Sequence, residues 1–420
     1  MMYLTDEEKA MLDGKHGLVI QESIDNIIQF GEAFGAERLV DISFCIYPAE
    51  QSIYEGMVEE AVGFAERGAK VRIPAPSTTL ACDLERPGIT GCPKPLEELQ
   101  AKIEEAHRKM GVLETCTCTP QNLGFIPPFG SYTALVESSA IIYYNSVLGV
   151  RSNRGGMFTR FAAFCGKYPL MGYLLDENRK GTHLFKVNIP PEKLNSYVAY
   201  SALGMYIGTI AGSNVPVISG IKPTKQEYLI GLGAALATSG SVTLFHIPGV
   251  TPEAGTVEEA FQGDIPANDY EVTEQDLINV INKWTNIEKG SRIDFVTLGC
   301  PHYNLEQIRI VAEKLKGKKI ADNVRFWVCT NRMTRKQAEY SGYMKTIEDA
   351  GALVIADTCP VESHMRISTC RDYGLKVPNV EAMVSESGKM IRYVGDLIGC
   401  KTALADIDKC IECAISGRWE

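Results

Sequence analysis

From about residue 274 onward, helix-period and strand-period segments alternate with short connections, and this limits the chain to few architectures. Residues 275–289 read as a helix leading to a strand over 294–298. A helix over 305–315 leads to a strand over 323–330, and a helix over 336–350 leads to a strand over 353–356. Each intervening helix carries the chain back to the sheet end it started from. The strands therefore run parallel, with right-handed crossovers.

The first hundred residues follow the same logic less regularly. Thr5 and Glu8 form a capping box opening a short helix, which Gly14 stops. An amphipathic helix spans 17–34 and a strand 39–46. A helix over 55–67 ends at Gly68, a strand covers 70–73, and a charged helix covers 95–110. Residues 115–160 are rich in Thr, Ser, Asn, Gly and Pro but poor in Lys and Glu, which suits a site better than a solvated linker; a helix covers 137–149. Residues 196–250 are apolar and glycine-rich, which permits close helix packing on a sheet. The glycines of 231–240 lack a phosphate-loop pattern, and no dinucleotide fingerprint follows a strand. The reading is an α/β chain with mostly parallel sheets covered by helices, in three regions: 1–114, 115–273 and 274–420.

A formal net charge of −10 gives a phosphate backbone nothing to bind, so nucleic acid is not an expected partner. No apolar run is long enough to span a bilayer, and the first residues lack a signal-peptide pattern. A cytoplasmic protein is expected.

The thirteen cysteines are scattered, so they read neither as a disulfide framework nor as a zinc ribbon. Most should fill space; Cys410 and Cys413, in a helical CIEC run, read that way. Cys300 and Cys359 differ, because each stands just past the carboxyl end of a strand of one sheet, where open α/β sheets bind ligands. Cys118, in TCTCTPQN, is a third candidate, with Cys116 beside it. Three thiolates can hold iron, an iron–sulfur cluster or zinc, and leave a coordination position open for a Lewis-acid role. The alternative is that the two strand-end cysteines merely fill turns.

At these residues the chain resembles the aconitase X family. The opening YLTDEEKAMLDGKHG, TCTP at 117–120, ESSAIIYYNSVLGVRSNR at 137–154 and DENRKGT at 176–182 carry the likeness, with GCPH at 299–302, ADTCPV at 356–361 and SESGK at 385–389. The resemblance implies an aconitase-like, three-domain large subunit. It implies iron or an iron–sulfur cluster on Cys118, Cys300 and Cys359, and a separate small subunit supplying a swivelling domain and the catalytic base. It further implies dehydration of a small 3-hydroxy carboxylate, cis-3-hydroxy-L-proline or mevalonate 5-phosphate. The other reading is a non-catalytic metal-binding protein on a dehydratase scaffold.

The sequence departs from the family pattern at Gln121, Ser131, Tyr132 and Tyr173, and the stretch 47–54 is atypical. The cysteines persist while these neighbours change, which leaves the substrate more open than the cofactor.

For substrate binding, Arg151 and Arg154, either side of Asn153, offer guanidinium forks for a carboxylate or phosphate. Ser138, Ser139 and Asn145 lie on the preceding helix, Ser138 and Asn145 on one face of it. Lys389 follows a glycine in a flexible setting and is a further candidate for pairing with an anion. His302 is a candidate ligand or a donor behind the ligands, and His364 has a similar but weaker claim.

Overall fold

The computed structural model describes residues 2–49, 54–376 and 379–420, so part of the atypical stretch 47–54 lies outside the described residues. In the first part of the chain, β1 (Leu39–Asp41) pairs antiparallel with β4 (Lys167–Pro169), and β2 (Phe44–Cys45) pairs parallel with β3 (Thr133–Ala134). In the middle, β5 (His183–Val187) lies between β6 (Pro216–Ser219) and β7 (Asn268–Val272), both parallel to it. The last part holds β8 (Phe295–Leu298), β9 (Arg325–Thr330), β10 (Leu353–Ala356), β11 (Ala382–Ser385) and β12 (Lys401–Leu404). These five strands are all parallel, in the order β10-β9-β8-β11-β12. The fold is α/β, with mostly parallel sheets covered by helices.

That strand order has a chemical consequence. The chain winds outward from β8 to β10, then returns to place β11 on the other side of β8. Connections on either side of β8 and β11 therefore leave in opposite directions, opening a crevice at their carboxyl ends where ligands bind in such sheets.

The helices follow from local chemistry. Leu305–Leu315 begins at Asn304, whose side chain accepts from Gln307 N in a capping box, and it buries Ile308, Val311, Ala312 and Leu315 on one face. The expected helix 336–350 is two helices, Arg332–Tyr340 and Tyr343–Asp349, separated at Gly342, whose φ of 76° is left-handed. The expected helix 275–289 ends early, at Lys283. The expected strand 70–73 does not form a ladder; Val71 and Arg72 instead donate singly to Met110 O and Ala163 O, because no neighbouring strand runs alongside. The strand expected over 39–46 is divided into β1 and β2.

The glycine-rich segment is explained by contact distance. Helices Tyr197–Ala211 and Gln226–Gly240 pack so closely that a Cβ on Gly204 would stand 2.5 Å from Leu232 O, and one on Gly240 2.1 Å from Gly208 O. The glycines of 231–240 therefore serve helix packing. Among the described residues no helix is long and apolar enough to cross a membrane.

The close approach yields a test. Gly204→Ala should lower stability by about 1–3 kcal/mol, the usual cost of overpacking, seen as a lower urea midpoint with an unchanged slope. An unchanged midpoint would mean that the helices do not pack this tightly.

Candidate active site

Three loops deliver the sequence-predicted cysteines. After β8 the chain turns at Gly299, with φ of 87°, where a Cβ would lie 2.1 Å from Cys329 O; only glycine fits, and Cys300 follows. After β10, Asp357 holds a left-handed φ of 62°, and Cys359 stands two residues on. Cys118 comes from a different part of the chain, the loop before the short helix Pro120–Leu123. All three line one cavity of about 30 Å³, with Thr79, Glu137, His302, Thr358, Lys389 and Tyr393 among its other walls.

Burial pushes all three thiols above the ordinary cysteine range. Cys118 and Cys300 are electrostatic neighbours, and Cys359 feels both. The Lys389 ammonium opposes the rise at each sulfur. Cys118 Sγ also accepts from the backbone N–H of His302 at 3.2 Å, which favours its thiolate.

His302 holds the ligand loops together. Its Nε2 faces Thr358 O at 3.2 Å and must therefore carry the proton, so Nδ1 accepts from Thr117 Oγ1 at 3.1 Å. Burial lowers its pKa to about 4, which keeps the ring neutral. It thus ties the Cys118 loop to the Cys359 loop.

The donor set fits iron. Buried thiolates with backbone N–H donors suit iron–sulfur clusters. A single ion with metal–sulfur bonds near 2.3 Å would bring three thiolates to about 3.8 Å of one another. No group of three His, Cys, Asp or Glu among the described residues is spaced to hold one ion. As thiolates the three would instead suit an iron–sulfur core, in which separate cysteines hold separate irons.

Lys389 is not in a flexible setting. It lies in the first turn of the helix Gly388–Leu397, behind the cap formed by Ser387, and is largely buried. Its Nζ donates to Glu137 Oε1 at 2.5 Å and Ser139 Oγ at 2.9 Å, and stands 3.3 Å from Ser138 Oγ. Burial disfavours its charge, but Glu137 and the sulfurs of Cys300 and Cys118 outweigh burial and raise its pKa. Glu137 is the N-cap of the helix Ser138–Ser146 and accepts from Ser139 N at 3.1 Å. Burial would raise its pKa, yet Lys389 and Ser139 bring it down to about 2. Ser138 and Ser139 therefore meet Lys389, which with Glu137 lines the cysteine cavity.

The other predicted substrate residues are placed differently. Asn145 is fully buried and engaged: its amide donates to Ser152 O and Thr243 O, and its Oδ1 accepts from Ser152 N and Arg179. Arg151 pairs with Asp176 and, at 3.6 Å, with Glu253, beside a separate cavity that also borders Arg179 and His246. Asn153 joins two loops, donating to Met171 O and accepting from Tyr173 N. Arg154 is different again. It is exposed, forms no ion pair among the described residues, donates to Ala237 O at 3.2 Å, and has Tyr393 and Glu137 of the cavity as electrostatic neighbours. Cys116 turns to Ser77 and Arg332, while Cys410 and Cys413 are buried core residues.

Sequence reasoning passed over Glu137, Thr79 and Tyr393. The signal for Glu137 was present, since an acid directly before two serines and an apolar run marks a helix cap. Tyr393 stands one turn after Lys389, on the same helical face.

Comparison with known proteins matches residues 1–177 to the aconitase X first domain, 181–282 to its second and 293–416 to its third. The chain is 36% identical to the phosphomevalonate dehydratase large subunit of Methanothermobacter thermautotrophicus, over 96% of this chain and 97% of that one. It is 31% identical to the cis-3-hydroxy-L-proline dehydratase of Pseudomonas aeruginosa, over 98% of this chain and 70% of that one. The crystal structure of Thermococcus kodakaraensis aconitase X in its holo-form superposes with a TM-score of 0.85 at 31% identity, covering 98% of this chain and all of that one.

The buried Glu137–Lys389 pair makes two predictions in one experiment. Glu137→Gln leaves a buried ammonium uncompensated and should cost roughly 3–5 kcal/mol at pH 7, less in a Lys389→Met background. Folding lowers the Glu137 pKa from 4.5 to about 2, so the unfolded chain binds more protons between those values. The wild-type advantage should therefore shrink as pH falls from 4.5 toward 2. A difference that does not change with pH would contradict the pair.

Proposed function

As this chain belongs to the aconitase X family, we propose that it is the large subunit of an iron-dependent, cytoplasmic hydro-lyase acting on a small 3-hydroxy carboxylate, cis-3-hydroxy-L-proline or mevalonate 5-phosphate. Its relatives of both kinds are dehydratases, which supports the reaction class. The observation that carries the reading is the convergence of three cysteines from distant loops, Cys118 buried and Cys300 and Cys359 half-buried, beside a protonated lysine.

Cys118, Cys300 and Cys359 would hold iron or an iron–sulfur cluster, which when bound supplies Lewis acidity toward the leaving hydroxyl. Arg154, the exposed guanidinium without an acidic partner among the described residues, binds the substrate carboxylate or phosphate. Lys389 stays protonated because Glu137 faces it, and its charge stabilises the enolate-like carboxylate that forms as the α-proton leaves. Ser138 and Ser139 orient that ammonium from the helix N-terminus. The base comes from a swivelling domain on a small subunit. Relatives named as large subunits support such a partner.

The test is anaerobic reconstitution with iron, sulfide and the small subunit, followed by a screen of 3-hydroxy acids. Cys300→Ser should lose both the visible absorbance and turnover. Arg154→Gln should keep the absorbance and raise KM about 10- to 100-fold, the loss of one charge-assisted contact. Iron binding without turnover of any 3-hydroxy acid would favour the non-catalytic reading. Full turnover by the large subunit alone would remove the division of labour.

A further inference from the structure

Residues 77–80 run between the Cys118 and Cys359 loops, and most of their polar groups are engaged. Ser77 N donates to Leu113 O at 2.8 Å, and Ser77 O accepts from Thr117 N at 3.2 Å and from Thr115 Oγ1 at 2.9 Å. Thr78 N donates to Tyr47 O at 3.0 Å, and its hydroxyl accepts from Ala49 N at 2.8 Å. Leu80 N donates to Asp357 O at 2.7 Å, and Leu80 O accepts from Cys359 N at 3.0 Å. Thr79 is the exception. It is 4% exposed, yet neither its N–H nor its hydroxyl has a hydrogen-bond partner among the described residues. It is a wall of the cysteine cavity.

Buried N–H and hydroxyl groups are almost always paired, because folding strips them of water. A partner for Thr79 therefore belongs in the cavity it lines. That partner must accept, since an N–H can only donate. The other polar walls are occupied. Thr358 Oγ1 donates to Ala356 O at 2.8 Å, and both ring nitrogens of His302 are engaged. The Glu137 carboxylate takes Lys389 and Ser139. The acceptors left at this wall are sulfurs. The backbone on one side of Thr79 is bonded to Thr117, the residue before Cys118, and on the other side to Cys359 itself.

We infer that Thr79 is a hydrogen-bond donor to the sulfurs of the core held by Cys118, Cys300 and Cys359. This rests on those cysteines holding an iron–sulfur core, as proposed above. Hydrogen bonds to the sulfurs of such a core stabilise its more negative, reduced state and so set its reduction potential. Cys118 already receives one such bond from the His302 N–H. Thr79 supplies others from the opposite loop. Dehydration transfers no electrons, so the potential reports on the hydrogen bond and not on a step of the reaction.

The test uses the full chain, reconstituted anaerobically with iron and sulfide, beside Thr79→Val and Thr79→Ser. Valine keeps the shape of threonine without its hydroxyl, and serine keeps the hydroxyl. Each is titrated with a reductant and followed by visible absorbance and electron paramagnetic resonance. At the wild-type midpoint potential, the ratio of reduced to oxidised core should fall roughly 3- to 10-fold in Thr79→Val, the usual worth of one hydrogen bond. Thr79→Ser should restore most of it. The iron-free chain is the control. There the hydroxyl has no protein partner, so Thr79→Val should leave the urea midpoint no lower than wild type. If Thr79→Val takes up no iron, Thr79→Ala makes the same comparison. Two results would overturn the inference alone. In one, wild type and Thr79→Val bind the core and are reduced at the same potential. In the other, Thr79→Val lowers the urea midpoint of the iron-free chain while Thr79→Ser does not, which would place the hydroxyl's partner in the protein. A wild-type chain that takes up no iron–sulfur core would overturn the reading of the three cysteines as well.

Discussion

The backbone of residues 77–80 is wedged between two of the cysteine loops and hydrogen-bonds to both. Ser77 O accepts from Thr117 N at 3.2 Å, next to Cys118. Leu80 N donates to Asp357 O at 2.7 Å, and Cys359 N donates to Leu80 O at 3.0 Å. Remove that wedge and the two loops keep the His302 bridge but lose the backbone they share. The wedge is in turn fixed by charges along the seam between the first and last parts of the chain. Arg335 pairs with Asp83 and Glu85, Arg332 with Asp357 and Glu104, and Arg86 with Glu348. Several of these groups are almost fully buried, and a buried charge is tolerable only opposite its partner. The seam therefore has one register, and the cysteine cavity inherits it.

The electrostatics of the cavity rest on a similar dependence. Lys389 occupies the first turn of a helix, where the dipole disfavours a cation, and burial disfavours it again. Glu137 caps the start of another helix, where the dipole favours an anion. Facing each other, the acid offsets both penalties on the lysine. The cavity thus receives a fixed positive charge without a mobile side chain. The strand order supplies its position, because Cys300 follows β8 and Lys389 follows β11, the two strands between which the winding reverses.

What the sequence revealed depended on how local the cause was. Helix Leu305–Leu315 was legible to the residue because its cap and its apolar spacing are both local. Cys300 and Cys359 were legible because a strand end is a place, and parallel strands bring their ends together. The break at Gly342 was not read, since a glycine inside a helical pattern is often tolerated. Segment 70–73 has strand composition, but a ladder needs a neighbour that composition does not reveal. Asn145 and Arg151 looked like free polar groups, yet Arg179, Glu253 and Asp176 engage them from elsewhere. Long-range pairing of that kind has no local mark.

The departures from the family pattern gain a physical meaning from the same contacts. Tyr132 pairs with Arg151 in a bridge, and Ser131 O accepts from Arg151 N at 2.9 Å. Tyr173 N donates to Asn153, and its hydroxyl reaches Ser213 O at 3.2 Å. Three of the four departures therefore bear on the short loop that ends in Arg154. Gln121 is the fourth; it stands three residues after Cys118, buried, with an Oε1 that has no partner among the described residues. None of these contacts reaches the 77–80 wedge or the ion pairs of the seam. The supports of the sulfur cavity and those of the loop ending in Arg154 are thus separate. A chain built in this way can alter the loop that carries Arg154 while leaving the seating of its three cysteines unchanged.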